Sequence, residues 1–158
     1  MPKVTPFLWY DGAAEEAARF YTSLLPNSSI DDVFRLPADT PSGPAGTVLT
    51  VSFTLAGSNF TALNGGPQFK FTEAVSFQIS TEDQEETDRL WNALIADGGS
   101  EGRCGWLKDR WGLSWQIIPK RLGQLLSDPD PGRSRRATEA MLTMKKIDIA
   151  ALESAANG

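Results

Sequence analysis

Gly112-Leu113-Ser114-Trp115-Gln116-Ile117-Ile118 reads as a strand whose two faces carry different residues. Side chains alternate across a strand, so Leu113, Trp115 and Ile117 share an apolar face while Ser114 and Gln116 share a polar one. The pattern recurs in Gly57-Ser58-Asn59-Phe60-Thr61-Ala62-Leu63, where Phe60 stands for Trp115 and Thr61 for Gln116. A glycine-led strand that appears twice suggests a chain built twice, a question to settle before any fold is named.

Working outward, each of these strands closes a unit of the same order. Val4 to Tyr10 is an apolar, aromatic run read as a strand, with Phe7 and Trp9 on one face and Pro6, Leu8 and Tyr10 on the other. From Ala14 the apolar residues Ala17, Phe20, Tyr21, Leu24 and Leu25 take helical spacing until Pro26-Asn27. Ile30 to Leu36 is a second strand, and residues 37–46, rich in proline and glycine, form an exposed loop. Leu49, Val51, Phe53 and Leu55 alternate with Thr50, Ser52 and Thr54, a strand with one buried face. After Gly65-Gly66-Pro67 the order restarts: Ala74 to Ser80 alternates, Glu82 to Asp97 is helical, and Glu101 to Trp111 is short, glycine-broken strand material. A shift of seventy lays Glu15-Glu16 on Glu85-Glu86, Arg19 on Arg89 and Phe20-Tyr21 on Leu90-Trp91.

The expected fold is therefore α+β. Two tandem βαβββ units, 4–64 and 73–119, fill residues 1–119, and a C-terminal linker and helical tail fill 120–158. In the tail, residues through Pro131 read as linker, Ser134 to Lys145 as a helix and Asp148 to Ala155 as a second short helix.

Composition narrows the function. A net charge of −5 and a pI near 4.7 argue against nucleic acid, whose binding is dominated by basic side chains; Arg133, Arg135 and Arg136 read as a solvated helix start. The single cysteine, Cys104, excludes an intramolecular disulfide and a cysteine-based zinc site. No apolar run approaches the ~20 residues of a membrane span, so a cytoplasmic location is expected. There is no histidine, which excludes Ser-His and Cys-His nucleophile systems. Neither Gly98-Gly99 nor Gly65-Gly66-Pro67 stands between a parallel strand and a helix, where a Rossmann-type methyltransferase needs its glycines.

The repeat, together with Thr5-Pro6-Phe7-Leu8-Trp9, the Pro26-Asn27-Ser28 turn, Leu63-Asn64-Gly65-Gly66-Pro67, Cys104 to Arg110 and Leu113-Ser114-Trp115-Gln116, resembles the vicinal oxygen chelate superfamily. That superfamily includes glyoxalase I, extradiol dioxygenases and bleomycin-resistance proteins. The motifs are most similar to its PhnB-like branch, often labelled 3-demethylubiquinone-9 3-methyltransferase, over residues 4 to about 155. The resemblance implies curled mixed sheets of the glyoxalase/bleomycin-resistance fold, a homodimer, and metal ligands at Pro6, Thr61, Ser76 and Gln116. None of these is a histidine or carboxylate, and Gln116 stands where a metal-binding glutamate is usual, so no cofactor is expected. The one divalent-metal arrangement these residues allow is Asn64, Gln116 and water.

The polar strand faces then supply a candidate ligand pocket: Thr50, Ser52, Thr61, Ser76, Gln78, Ser114 and Gln116, with Leu8, Tyr10, Leu63 and Asn64. Trp106 and Trp111, in the turn before the last strand, are placed to stack on a ligand. Neutral donors and acceptors on an apolar wall suit an uncharged or modestly polar organic molecule. A small-molecule binding protein is the expected function; the alternative is an enzyme of the same fold, a lyase, isomerase, dioxygenase or the labelled methyltransferase. Catalytic residues are not assigned, although Tyr10 or Asp109 would serve as an acid or base if buried.

Overall fold

The computed structural model describes residues 2–158, which form two compact units that divide between Lys70 and Phe71. In the first, strand β1 (Phe7–Tyr10), helix α1 (Ala14–Leu24) and strands β2 (Ser29–Arg35), β3 (Val48–Leu55) and β4 (Ser58–Asn64) form a mixed sheet of order β1-β4-β3-β2. β1 runs parallel to β4, and the other neighbours are antiparallel. The second unit repeats this with β5 (Ser76–Thr81), α2 (Gln84–Ile95), β6 (Ser100–Glu101), β7 (Trp106–Lys108) and β8 (Ser114–Pro119), in the order β5-β8-β7-β6. β5 is parallel to β8. Both expected βαβββ units are present.

Each helix covers one face of its own sheet, because that face carries the apolar half of every alternating strand. In the first unit Val51, Phe53, Leu55, Phe60 and Ala62 are buried with Ala14, Ala17, Ala18 and Tyr21 of α1. Phe53 and Phe60, directly paired across β3 and β4, stack at 5.4 Å. In the second unit Leu107, Trp115 and Ile117 are buried with Leu90, Trp91 and Leu94 of α2.

The helix starts are satisfied differently. Asp83 caps α2 by accepting from Glu86 N at 2.9 Å, while Glu86 Oε1 accepts from Glu82 N, a reciprocal capping arrangement. No side chain at the α1 N-cap does this. Instead Asn64, at the end of β4, accepts from Ala14 N at 2.9 Å and donates to Val48 O at 3.0 Å.

The tail corrects the sequence reading in two places. Residues expected as linker form a helix, α3 (Lys120–Leu126), and the next helix, α4 (Pro131–Met141), begins three residues earlier than expected, with Pro131 in its first turn and Asp130 as N-cap. The last helix, α5 (Ile149–Asn157), follows the Asp148 cap as read. Leu122, Leu125, Ala137, Ile147, Leu152 and Ala156 make its own buried cluster. Two of the three arginines are structural, Arg136 donating to Ala156 O at the end of α5 and Arg133 bridging Asp128 and Asn157, while Arg135 is exposed as read.

The tail docks on α2 through Gln84, whose Nε2 donates to Ile147 O (3.0 Å) and whose Oε1 accepts from Ile149 N (2.8 Å). Lys146 pairs with Asp88 at 2.9 Å. The Gln84 amide and then the Lys146 ammonium hold the Asp88 carboxyl below its usual value. A carboxylate so held contributes stability that is complete above its unfolded value, about 3.9, and lost as pH falls through the lower folded value. The stability difference between the chain and Asp88→Asn is expected at about pH 6 and to shrink by about pH 3, read from urea unfolding at both.

Candidate functional site

The side of the second sheet away from α2 carries the polar half of its strands. Register places Ser76 beside Ser114, Gln78 beside Gln116, and Trp106 and Lys108 of β7 across from Gln116 and Ser114. Gln116 Nε2 donates to Ser76 Oγ at 2.9 Å, which fixes both side chains on this face. Next to them is a cavity of about 440 Å³ lined by Glu73, Ser100, Arg103, Trp106, Lys108 and Ser114, among others.

Ser114 is the distinctive group there. It is 1% exposed, and its hydroxyl has no hydrogen-bond partner among the described residues. A buried hydroxyl left unpaired costs about 1–3 kcal/mol, so such a group calls for an explanation, and a ligand atom in the cavity is one. At the cavity edge Lys108 pairs with Glu73. The hydrogen bond and charge of Lys108 hold the Glu73 carboxyl below its usual value, so it is ionised near neutrality and is a poor proton donor.

The turn from β7 into β8 is organised by Asp109, 2% exposed. Its Oδ1 accepts from Trp111 N (2.9 Å) and Leu113 N (3.1 Å), and its Oδ2 accepts from the Trp115 indole (2.9 Å). That one carboxylate closes the turn from β7 into β8 and pins the central core tryptophan. Its lone pairs are committed to structure, which removes the acid or base role considered for it.

Several sequence assignments need correction. Leu8 and Tyr10 lie on the helix side of β1: both are buried, and the Tyr10 hydroxyl bonds that of Tyr21 on α1 at 2.8 Å. The residues of β1 that share a face with Thr61 and Leu63 are Phe7 and Trp9. Pro6 is therefore not beside Thr61 on the polar face; it contributes only its carbonyl, which accepts from Thr61 N at 3.0 Å. Asn64 is spent on α1 and β3, as above. Trp111 lies under the Arg110 guanidinium, 5.2 Å from its ring centre, and does not line the cavity. Thr50, Ser52, Thr61 and Leu63 do share one face, in the first unit. Ser52 and Thr61 line a separate depression of about 370 Å³ there with Thr5, Asp31 and Asn59.

Sequence reasoning missed Glu73, Ser100, Glu101 and Arg103, which line the second-unit cavity and make it less neutral than expected. Lys108, legible in the sequence either as part of a Lys108-Asp109-Arg110 turn closing the pocket or as a solvated charge, is on β7 and lines the cavity. The positions carried over for a metal do not fit one: they offer a proline, two hydroxyls and an amide, and two of the four bond each other. Among the described residues no three histidine, cysteine or carboxylate side chains gather to hold an ion.

Comparison with known proteins fixes the family. Residues 2–118 match the 3-demethylubiquinone-9 3-methyltransferase family. A PhnB protein from Bacillus cereus, provisionally assigned as a 3-demethylubiquinone-9 3-methyltransferase, is 35% identical, with a TM-score of 0.67 over 75% of this chain and 99% of that one. The chain belongs to this family. It is thus a PhnB-like member of the vicinal oxygen chelate superfamily. The fold is shared with protein PA1353 from Pseudomonas aeruginosa (21% identity, TM-score 0.60, 75% of this chain and 98% of that one). It is also that of the fosfomycin resistance protein FosX from Listeria monocytogenes (12%, TM-score 0.50, 75% and 93%). No match was found among curated proteins. The family match ends at residue 118, where the sequence resemblance was read as continuing to about 155, so the helical tail lies beyond it.

Proposed function

We propose that this PhnB-like chain binds a small organic molecule on the polar face of its second sheet, without the metal centre usual in the superfamily. The observation that carries the reading is the buried, unpartnered hydroxyl of Ser114 in the wall of a cavity of about 440 Å³. That volume is in the range of small-molecule sites, about 300–1,000 Å³. The Trp106 indole offers the cavity a flat apolar surface and the Ser114 hydroxyl a hydrogen bond; the Ser76–Gln116 pair, on the same sheet face but outside the cavity lining, adds neutral donors and acceptors next to it. A planar, modestly polar molecule matches this set; Lys108 pairs with Glu73 at the edge, and the other two charged lining residues, Arg103 and Glu101, are of opposite sign, so the four charges cancel. A homodimer is the proposed assembly, by resemblance to the superfamily, and light scattering that returns a monomer would remove it.

Native mass spectrometry of the purified chain, with elemental analysis of the same sample, tests the binding reading. The expected result is an organic mass on the chain that disappears in Ser76→Leu/Gln116→Leu while near-ultraviolet circular dichroism stays unchanged. A stoichiometric divalent metal, or an organic mass retained by the double variant, would overturn it.

A further inference from the structure

The 103–106 turn joins β6 to β7, with Trp106 N donating to Arg103 O at 3.0 Å, and it is braced from outside the sheet as well. Cys104 and Gly105, between cavity residues Arg103 and Trp106, both have positive φ, 56° and 85°. Glycine tolerates this, but a non-glycine residue in the left-handed region costs of order 1 kcal/mol or more and persists only where surroundings hold it. Part of the support is the sheet's own, since Gly102 N donates to Trp106 O and Ile117 N to Gly105 O, each at 2.8 Å, and part comes from the tail. Cys104 N donates to Met144 O and Gly105 N to Lys145 O, each at 2.8 Å. Gly105 is also packed closely from both sides: a Cβ there would lie 2.8 Å from Ile118 and 3.0 Å from Ile117 O, both of β8, and 3.2 Å from Ile147 of the tail. Two residues farther on, Gln84 fixes the same tail segment to α2 by bonding Ile147 O and Ile149 N. The two tail acceptors lie beyond residue 118, outside the part of the chain that matches the family.

We propose that the C-terminal tail is a working part of the ligand cavity: residues 144–147, clamped by Gln84, hold the 103–106 turn in the conformation that presents Arg103 and Trp106 to the cavity. Gln84 is then a positioning residue that touches no ligand. This rests on the cavity reading above for its functional meaning, but the holding of the turn is measurable without any ligand.

Amide hydrogen exchange on the full-length chain makes the test. Loss of the Gln84 clamp in Gln84→Ala is expected to speed exchange at Cys104, Gly105 and Trp106 by about tenfold, the effect of losing roughly one to two hydrogen bonds. Exchange in the β5–β8 ladder should not change. Adding Cys104→Gly, which relieves the strained residue, should restore part of the protection at Gly105 and Trp106. Unchanged exchange at 104–106, or equal acceleration of the turn and the β5–β8 ladder, would overturn the proposal, the latter because it reports general loosening. If exchange responds locally but the purified chain carries no organic mass, the holding role stands and the cavity reading fails. If the mass is present and is retained in Gln84→Ala with unaltered exchange, the cavity reading stands and the holding role fails.

Discussion

Asp109→Ala is expected to destabilise the second unit by about 3–5 kcal/mol, the largest effect of any single substitution considered. The carboxylate accepts from two backbone amides and the Trp115 indole in a buried site. Alanine removes the acceptor of all three bonds, two of them buried, and loss of a buried hydrogen bond carries a desolvation cost. Asp109→Asn keeps one acceptor oxygen but turns an amide N–H toward either the backbone donors or the indole. It is expected to lose less, about 2 kcal/mol. Urea unfolding followed by tryptophan fluorescence measures both; a difference between chain and Asp109→Ala below about 1 kcal/mol would show that the turn closes without the carboxylate.

Gly99→Ala is expected to cost about 3 kcal/mol, at the upper end of overpacking effects. The added Cβ would lie 2.6 Å from Ile95 Cα and 2.7 Å from Lys108 O. Both are backbone atoms, one of α2 and one of β7, so relief requires the helix end and the strand to separate. Lys108 is on the cavity edge, and the same separation should weaken its pairing with Glu73. Gly123→Ala is the contrast: nothing lies within 4 Å of its Cβ position, in the middle of α3, and the change should be neutral or stabilise by up to about 1 kcal/mol. Equal losses at the two positions would count against the packing argument.

Much of the fold was legible because alternation and helical spacing occur in the same order twice. The seventy-residue offset between Ala14 and Gln84, the first residues of α1 and α2, is the repeat seen directly. The faces of β3, β4, β5 and β8 were also legible, since polar and apolar residues alternate along them. β1 was not, for the same physical reason in reverse: Phe7-Leu8-Trp9-Tyr10 is apolar on both faces, so parity offers no contrast and only the pairing of Phe7 with Thr61 decides. Phe7 ends up 61% exposed and Leu8 buried. α3 was hidden by its flanks, where Pro119 and Asp128-Pro129 suggested linker around a seven-residue helix. The charged side of the cavity was hidden because Glu73 lies outside any strand and Glu101 in a strand of two residues. Nothing in local pattern shows that Glu73 reaches Lys108.

The two units differ in where their structure is completed along the chain. Every strand and helix of the first lies between Phe7 and Asn64, and its parallel pair β1–β4 needs nothing beyond that point. The second has its sheet by Pro119, while two amides of its 103–106 turn take their acceptors from the tail, at 144 and 145. Domains fold in order of synthesis where they can, so on the ribosome the first unit can reach its final form while the second is still being made. The tail's two bonds to the second unit form only as the tail emerges, so a nascent chain arrested between Pro119 and Met144 would carry a finished first sheet and a second whose Cys104 and Gly105 amides still lack their tail acceptors.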